Sequence, residues 1–290
     1  MITKRYHLSK LAAFILLTCL TLACSISLDN GDEEAIKPPD LVGTQVSLSA
    51  TQTAMAVSSV PSAQPEPPPA PAPNVVFNGV SLFTNLAQSV ASQHKPAEEG
   101  AETFWSTPQY DRIELIGYPV GNDYHSPIVQ VYPVAEFSAI NENAAERISD
   151  LQNLLVSRSL PSSGELPFLP VFNAGQMTQI KPVFLDFQNG SGVRFITQFG
   201  QAFWPIYNKG MIYTFQGLTA DGAYYISAIM PLSHPDLAQY DNFEPPSDFY
   251  DNAEQFMQDQ TAKLNSQPDE SFTPSLADLD AMVRSLKVEK

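Results

Sequence analysis

Alternating apolar and polar positions between residues 181 and 231 predict four antiparallel β-strands that form a meander. Short turns are expected at 189–192, 209–210 and 219–222, where Gly, Asn and Asp tolerate tight backbone geometry. A single buried face is expected to carry the alternating set Val183, Leu185, Phe187, Val193, Phe195, Thr197, Phe199, Met211, Tyr213, Phe215, Tyr224, Ile226, Ala228 and Met230.

The flanking sequence predicts further strands and helices around this meander. Apolar residues three and four apart predict helices, and short β-rich runs predict strands. Helices are expected at 76–91, 140–155, 249–264 with Ser247 as N-cap, and from Pro274 onward, and strands at 113–118 and 128–134. The predicted fold class is therefore α+β: an antiparallel meander sheet of about six strands, with helices packed on one face, in a domain covering residues 75–290.

The N-terminus predicts a secretory signal. Residues 1–5 are basic, and residues 11–23 form an apolar run of about 13 residues, too short to span a bilayer comfortably. The end of this run, 20–24, resembles the lipobox of bacterial lipoproteins, with Ala23 before Cys24, although Thr21 stands where that family usually has Leu. The resemblance implies that residues 1–23 are removed and that Cys24 carries the lipid. An ordinary cleaved signal or an uncleaved anchor is the alternative.

Residues 24–74 predict a flexible tether between the lipid and the folded domain. They combine acidic, Ser, Thr and Ala residues with a proline-rich stretch at 61–73. Such a composition offers too little apolar surface to form a core and favours extended chain toward its end. A proline-rich ligand for another protein is the alternative interpretation.

Composition excludes several classes of function. The formal net charge is −16, and because residues 1–23 carry three basic and no acidic residues, the remainder carries −19. A broad surface of this charge repels phosphate, so we expect no nucleic-acid partner. Cys19 and Cys24 are the two cysteines, so the predicted domain has no disulfide, thiol nucleophile or thiolate metal site. Phosphate-loop and dinucleotide motifs are absent from the sequence, and we predict no cofactor, no metal and no catalytic residue.

Three short patterns suggest chemistry, but each fits a simpler explanation better. Asp123 and His125 suit an acid–base pair or a metal, yet they fit a polar loop. The acidic segment 234–251 offers oxygen ligands, yet its spacing matches no calcium loop. Ser191 lies between two glycines in a predicted hairpin turn rather than in a nucleophile elbow. The aromatic residues between 195 and 225 suit either a ligand pocket or, more simply, the core.

The second face of the meander predicts a binding surface. Its residues mix amides and hydroxyls with apolar side chains, a character between that of a solvated face and that of a core. Arg194 offers a guanidinium fork to an anionic group, although pairing with Asp186 across the hairpin is the alternative. The candidate binding residues are Arg194, Gln198, Thr214, Gln216, Tyr225 and Ser227.

Segments 166–170, 192–198 and 213–225 resemble uncharacterised secreted lipoproteins of bacteria, a group that implies no established activity. The order of elements has a remote likeness to the α/β/α sandwich of the PsbP and Mog1 type. We expect an extracytoplasmic, lipid-anchored protein that acts as a noncatalytic binding or interaction module of the cell envelope. Its expected partners are the membrane, through the lipid, and an unknown envelope protein or ligand. The alternatives are an envelope or extracellular hydrolase and an accessory subunit of a membrane complex.

Overall fold

The computed structural model describes residues 71–100, 102, 105–161 and 164–290. The predicted signal peptide, Cys24 and residues 24–70 of the predicted tether lie outside the described residues. Within the described ranges, no helix is both long and apolar enough to cross a membrane. The strands are β1 (Val75–Phe77), β2 (Val80–Leu82), β3 (Ser89–Lys95), β4 (Tyr110–Ile116), β5 (Ile128–Pro133), β6 (Gly175–Gln176), β7 (Ile180–Phe187), β8 (Gly190–Thr197), β9 (Phe199–Gly200), β10 (Ile212–Thr219), β11 (Tyr224–Pro231) and β12 (Lys287–Val288). The α-helices are α1 (Val134–Ile140), α2 (Glu142–Ser157), α3 (Ala253–Asn265) and α4 (Leu276–Ser285).

A seven-stranded antiparallel sheet forms the centre of the fold. Its strand order is β3-β4-β5-β11-β10-β8-β7, so the predicted meander β7-β8-β10-β11 joins a second meander through the pairing of β11 with β5. Small sheets of three strands, β1-β2-β12, and of two strands, β6-β9, accompany it. The mixed α and β composition and the antiparallel meander agree with the prediction, whereas the sheet has one strand more than the six expected.

The central strands of the large sheet are covered on both faces, so the prediction of helices on one face is wrong. On one face, Leu279 and Val283 of α4 pack with Tyr213, Phe215 and neighbouring residues. The opposite face packs against α1, α2 and the segment 166–172. All eight residues of β10 are buried. Strands buried on both faces lose the clear alternation that identifies a solvated face, which explains the error.

The predicted helix over residues 76–91 is also wrong. Asn78 and Gly79 have φ values of 45° and 76° and form a two-residue turn between β1 and β2. Val80 and Leu82 are fully buried with a period of two, not 3.6. The Asn-Gly pair was therefore a hairpin signal that outweighs the apparent helical spacing. The same stretch runs into β3, which is the additional strand at the edge of the large sheet.

The other predicted elements form with shifted boundaries. The predicted strands at 113–118 and 128–134 correspond to β4 and β5. The helix expected at 140–155 corresponds to α2, and Asn141 separates it from α1 by accepting the backbone N–H of Ala144 at 3.0 Å. α3 begins at Ala253, and its N-cap is Asn252 rather than the predicted Ser247. α4 begins at Leu276 with Ser275 as its N-cap, so Pro274 precedes the helix instead of occupying its first position.

Candidate functional site

The six candidate binding residues do not form an open surface. Each has an exposed fraction of 5% or less. Cross-strand pairing places Thr214 and Gln216 opposite Phe195 and Val193, on the face covered by α2. Arg194 pairs with Phe215 and faces α4 instead. The prediction of a concave binding surface on the second face of the meander is therefore wrong, because the protein's own helices and the segment 166–172 cover both faces of these strands.

Four of these residues form a buried polar network that fixes the segment 166–172 on the sheet. Gln216 accepts hydrogen bonds from the backbone N–H of Leu169 at 3.0 Å and from the Tyr225 hydroxyl at 2.7 Å. The Gln216 amide donates to Thr214 and Ser227, and the Ser227 hydroxyl donates to the Leu169 carbonyl at 2.5 Å. Their polarity thus has a structural cause: these groups satisfy backbone atoms of a segment that crosses the sheet.

Arg194 forms a buried ion pair with Asp280 of α4, not with Asp186. Its Nε and Nη2 atoms lie 3.0 and 3.3 Å from the two Asp280 carboxylate oxygens, and Nη1 donates to the Lys181 carbonyl at 2.6 Å. The Tyr213 hydroxyl also donates to Asp280, and burial is the first cause of its strongly raised pKa. Asp186 instead pairs with Arg158 at the surface. Arg194 therefore holds a helix on the sheet.

Gln198 is the one candidate residue that lies at a cavity. Its amide donates to the Pro205 carbonyl at 3.1 Å and its Oε1 accepts the Tyr207 N–H at 3.2 Å. Gln260 of α3 makes two further bonds to the backbone of Ile206. A Cβ on Gly210 would lie 2.6 Å from the Tyr207 ring, so glycine is needed for that ring to approach. These contacts hold the loop 201–211 in a defined conformation.

This loop forms one wall of two adjoining cavities at one end of the sheet, of about 460 and 390 Å³. The cavities share Tyr124, Phe199, Gly200 and Gln201 as lining residues. We call them together the aromatic cleft, because most of their wall consists of rings. The rings are those of Tyr124, His125, Phe172, Phe199, Trp204, Tyr207, Tyr240 and Phe243.

The second wall of the aromatic cleft is the loop between β4 and β5. The Asn122 side chain accepts the N–H groups of Tyr124 and His125 at 2.9 and 3.1 Å and donates to the Met211 carbonyl at 3.2 Å. His125 packs on the Phe172 ring with centroids 5.0 Å apart. Burial lowers the pKa of His125 to about 4, so the imidazole is neutral near pH 7. The structure records no ion pair between His125 and Asp123.

Asn208 connects the loop 201–211 to the third wall, residues 240–243. Its backbone N–H and side-chain amide donate to the two Asp241 carboxylate oxygens at 2.9 and 3.1 Å. Its Oδ1 accepts the N–H of His234, which precedes the short helix Pro235–Tyr240. Burial, a hydrogen bond with Tyr124 and the charges of Asp123 and Asp241 raise the pKa of Tyr207. The Tyr207 hydroxyl therefore stays protonated at neutral pH.

A different cavity, which we call the His94 cavity, is lined by His94, whose imidazole pairs with the buried Asp111 in an arrangement that sequence inspection missed. His94 on β3 and Asp111 on β4 are cross-strand partners, and their Nδ1 and Oδ1 atoms lie 2.7 Å apart. Asp111 also accepts from Asn78 and Lys290. Burial by itself raises the pKa of Asp111, but the bonds from Lys290, His94 and Asn78 outweigh it and leave that pKa lowered. The sequence carries no sign of this pair, because His94 and Asp111 are 17 positions apart and meet only through the pairing of β3 with β4.

No protein-family model, curated protein or solved structure matches this chain. Within the described residues, no group of three or more His, Cys, Asp or Glu side chains is placed to hold a metal ion.

Proposed function

We propose that the protein is a membrane-anchored extracytoplasmic lipoprotein whose folded domain is a noncatalytic binding module, with its ligand in the aromatic cleft. The anchoring part of the proposal rests on the lipobox resemblance at Cys24 and on the composition of the predicted tether. The binding part rests on the structure. An unknown envelope protein or ligand is the proposed partner, and a role as an accessory subunit of a membrane complex is the alternative.

The observation that carries the binding proposal is the wall of the aromatic cleft. Ligand sites are concave, mostly apolar and aromatic, and contain a few fixed polar groups. The cleft has this composition, with Gln198, Gln201 and Asp241 among its rings. Tyr124 is 71% exposed although neighbouring side chains anchor its loop. An exposed aromatic side chain on an anchored loop is available to a ligand, and the loop does not have to be ordered on binding.

A hydrolase is less well supported. In the His94 cavity, a carboxylate orients an imidazole that is 49% exposed, which is the geometry of a general base. However, the described lining of that cavity contains no Ser, Thr or Cys that could serve as nucleophile. The bonds from Asn78 and Lys290 to Asp111 instead connect the β1-β2 turn and the end of the chain to the large sheet.

Ligand binding in the aromatic cleft can be measured through Trp204, one of the two tryptophans of the chain. In a Trp105→Phe protein, we expect saturable changes in Trp204 emission with at least one of three probes: benzyl alcohol, N-acetylglucosamine or tetramethylammonium. Tyr207→Ala should weaken that binding about tenfold, the loss of about 1.4 kcal/mol of contact energy. Tyr250→Ala is the matched control, since Tyr250 is 58% exposed and outside the cleft. Equal titrations for the two variants, or no saturable change with any probe, would contradict the proposal.

Lipidation can be tested at Cys24. We expect the protein to incorporate labelled palmitate in its native host and to fractionate with membranes, because two acyl chains anchor a protein stably. Cys24→Ala should abolish the label, whereas Cys19→Ala should retain it, since Cys19 lies within the part of the signal that is removed. Labelling that persists in Cys24→Ala, or that never occurs in the native protein, would rule out the lipid anchor.

A further inference from the structure

The charged side chain in the described lining of the aromatic cleft is acidic. Asp241 lies in its lining, and Asp123 stands close enough to Tyr207 for its charge to raise the pKa of that hydroxyl. Neither cavity has Lys or Arg among its described lining residues. Lys209, whose carbonyl accepts the Asp123 N–H at 2.9 Å, is exposed and outside the lining, as Asp123 is. His125 is neutral near pH 7 because burial lowers its pKa to about 4.

Asp241 is held in place by hydrogen bonds. Both of its carboxylate oxygens accept hydrogen bonds from Asn208, which is itself fixed by donation from His234 to its Oδ1. These donors are neutral, so they orient the carboxylate without cancelling its charge. The pocket beside it is lined by Trp204, Tyr207 and Tyr240. A fixed carboxylate next to aromatic rings produces a region that attracts cations.

The aromatic part of the wall selects among cations. Ring faces attract a positive charge through their quadrupole, and the attraction is largest for a cation that sheds its water easily. A primary ammonium or a metal ion is strongly hydrated and needs several oxygen ligands at once. In the cleft, Gln198 Oε1 and both Asp241 carboxylate oxygens already accept hydrogen bonds from Tyr207 and Asn208. Alkylated ammonium groups spread their charge over methyl groups that also pack against rings.

We propose that the aromatic cleft binds an organic cation of the quaternary ammonium class, with the alkylated nitrogen among Trp204, Tyr207 and Tyr240 and beside Asp241. This inference rests on the proposed function and narrows it to one class of ligand. The amides of Gln201 and Asn242, at the edge of the same cavity, suit the polar remainder of such a ligand. A free choline-like molecule and a phosphocholine lipid headgroup share this chemistry.

The test compares choline with 3,3-dimethylbutan-1-ol, which has the same shape but a carbon in place of the charged nitrogen. Using Trp204 emission in the Trp105→Phe protein, we expect choline to bind at least fivefold more tightly than the neutral alcohol. That ratio corresponds to about 1 kcal/mol of charge-dependent attraction. Asp241→Asn and Asp123→Asn should each reduce the ratio. Asp236→Asn is the control, because Asp236 pairs with Lys263 at 2.9 Å outside the cleft lining and should leave the ratio unchanged.

Two further arms complete the experiment. Sedimentation with phosphatidylcholine vesicles, compared with phosphatidylglycerol vesicles, distinguishes a lipid headgroup from free choline as the source of the cation. Thermal unfolding shows whether Asp241→Asn still folds. If that variant does not fold, Asp123→Asn tests the contribution of negative charge at an exposed position. Equal affinity for choline and the alcohol would overturn the quaternary ammonium proposal while leaving ligand binding intact. If neither choline nor the alcohol binds, and benzyl alcohol, N-acetylglucosamine and tetramethylammonium also fail to bind, both proposals are overturned.

Discussion

Replacing Asp280 by Ala is expected to lower the free energy of unfolding by about 3–5 kcal/mol. Asp280 has a side chain that is 9% exposed, and it accepts two hydrogen bonds from Arg194 and one from Tyr213. Without this carboxylate, the Arg194 guanidinium remains buried on the sheet and keeps only the longer contact with Asp269, at 3.8 Å, to balance its charge. The loss should be measured by urea denaturation of the native and variant proteins at neutral pH.

Two variants show whether this loss comes from removing the main charge partner of Arg194. Arg284→Ala removes a cation that lies 3.9 Å from Asp280 but is 58% exposed, so we expect a change below about 0.5 kcal/mol. The double variant Arg194→Met with Asp280→Leu removes both charges and should recover most of the stability lost in Asp280→Ala. A loss below about 1 kcal/mol for Asp280→Ala would show that Arg194 does not depend on this helix.

Phe195→Ala is expected to cost about 3–5 kcal/mol through lost burial and the cavity left behind. Phe195 is completely buried and belongs to the cluster formed with Ile148 and Leu151 of α2, as its shared face with Val193 and Phe199 predicts. Phe203→Ala makes the same chemical change at a residue that is 45% exposed, and it should cost far less. A loss below about 1 kcal/mol at Phe195, or equal losses at both positions, would contradict the described packing. Chemical denaturation measures both.

The four strands of the meander were predictable because their alternation and turn residues are strong local signals.

The predicted face of β8 is wrong, because Val193 and Phe195 were expected on the same face as Val183 and Leu185. The hairpin between β7 and β8 closes with Phe187 opposite Gly190, so Leu185 is opposite Gly192 and Val183 is opposite Arg194. A two-residue turn therefore places Val193 and Phe195 on the face opposite to Leu185. Both faces are apolar because both are covered, so composition alone could not reveal the error.

The aromatic cleft could be predicted only in part. The aromatic residues between 195 and 225 suggested either a pocket or the core, and the structure uses Tyr213 and Phe215 for the core and Trp204 and Tyr207 for the cleft. The other walls come from loops far away in the sequence. Side-chain bonds from Asn122 and Asn208 bring them together. Such contacts depend on tertiary geometry and leave no periodic pattern in the sequence.

Backbone amide chemical-shift mapping by NMR tests the location of the ligand site most directly. The native protein would be titrated with whichever of the probes benzyl alcohol, N-acetylglucosamine and tetramethylammonium binds most tightly. We predict the largest shifts at Gly200, Gln201 and Asn242, which line the aromatic cleft. The largest shifts at Asn78 and His94, in the His94 cavity, would contradict the proposal that the aromatic cleft is the binding site.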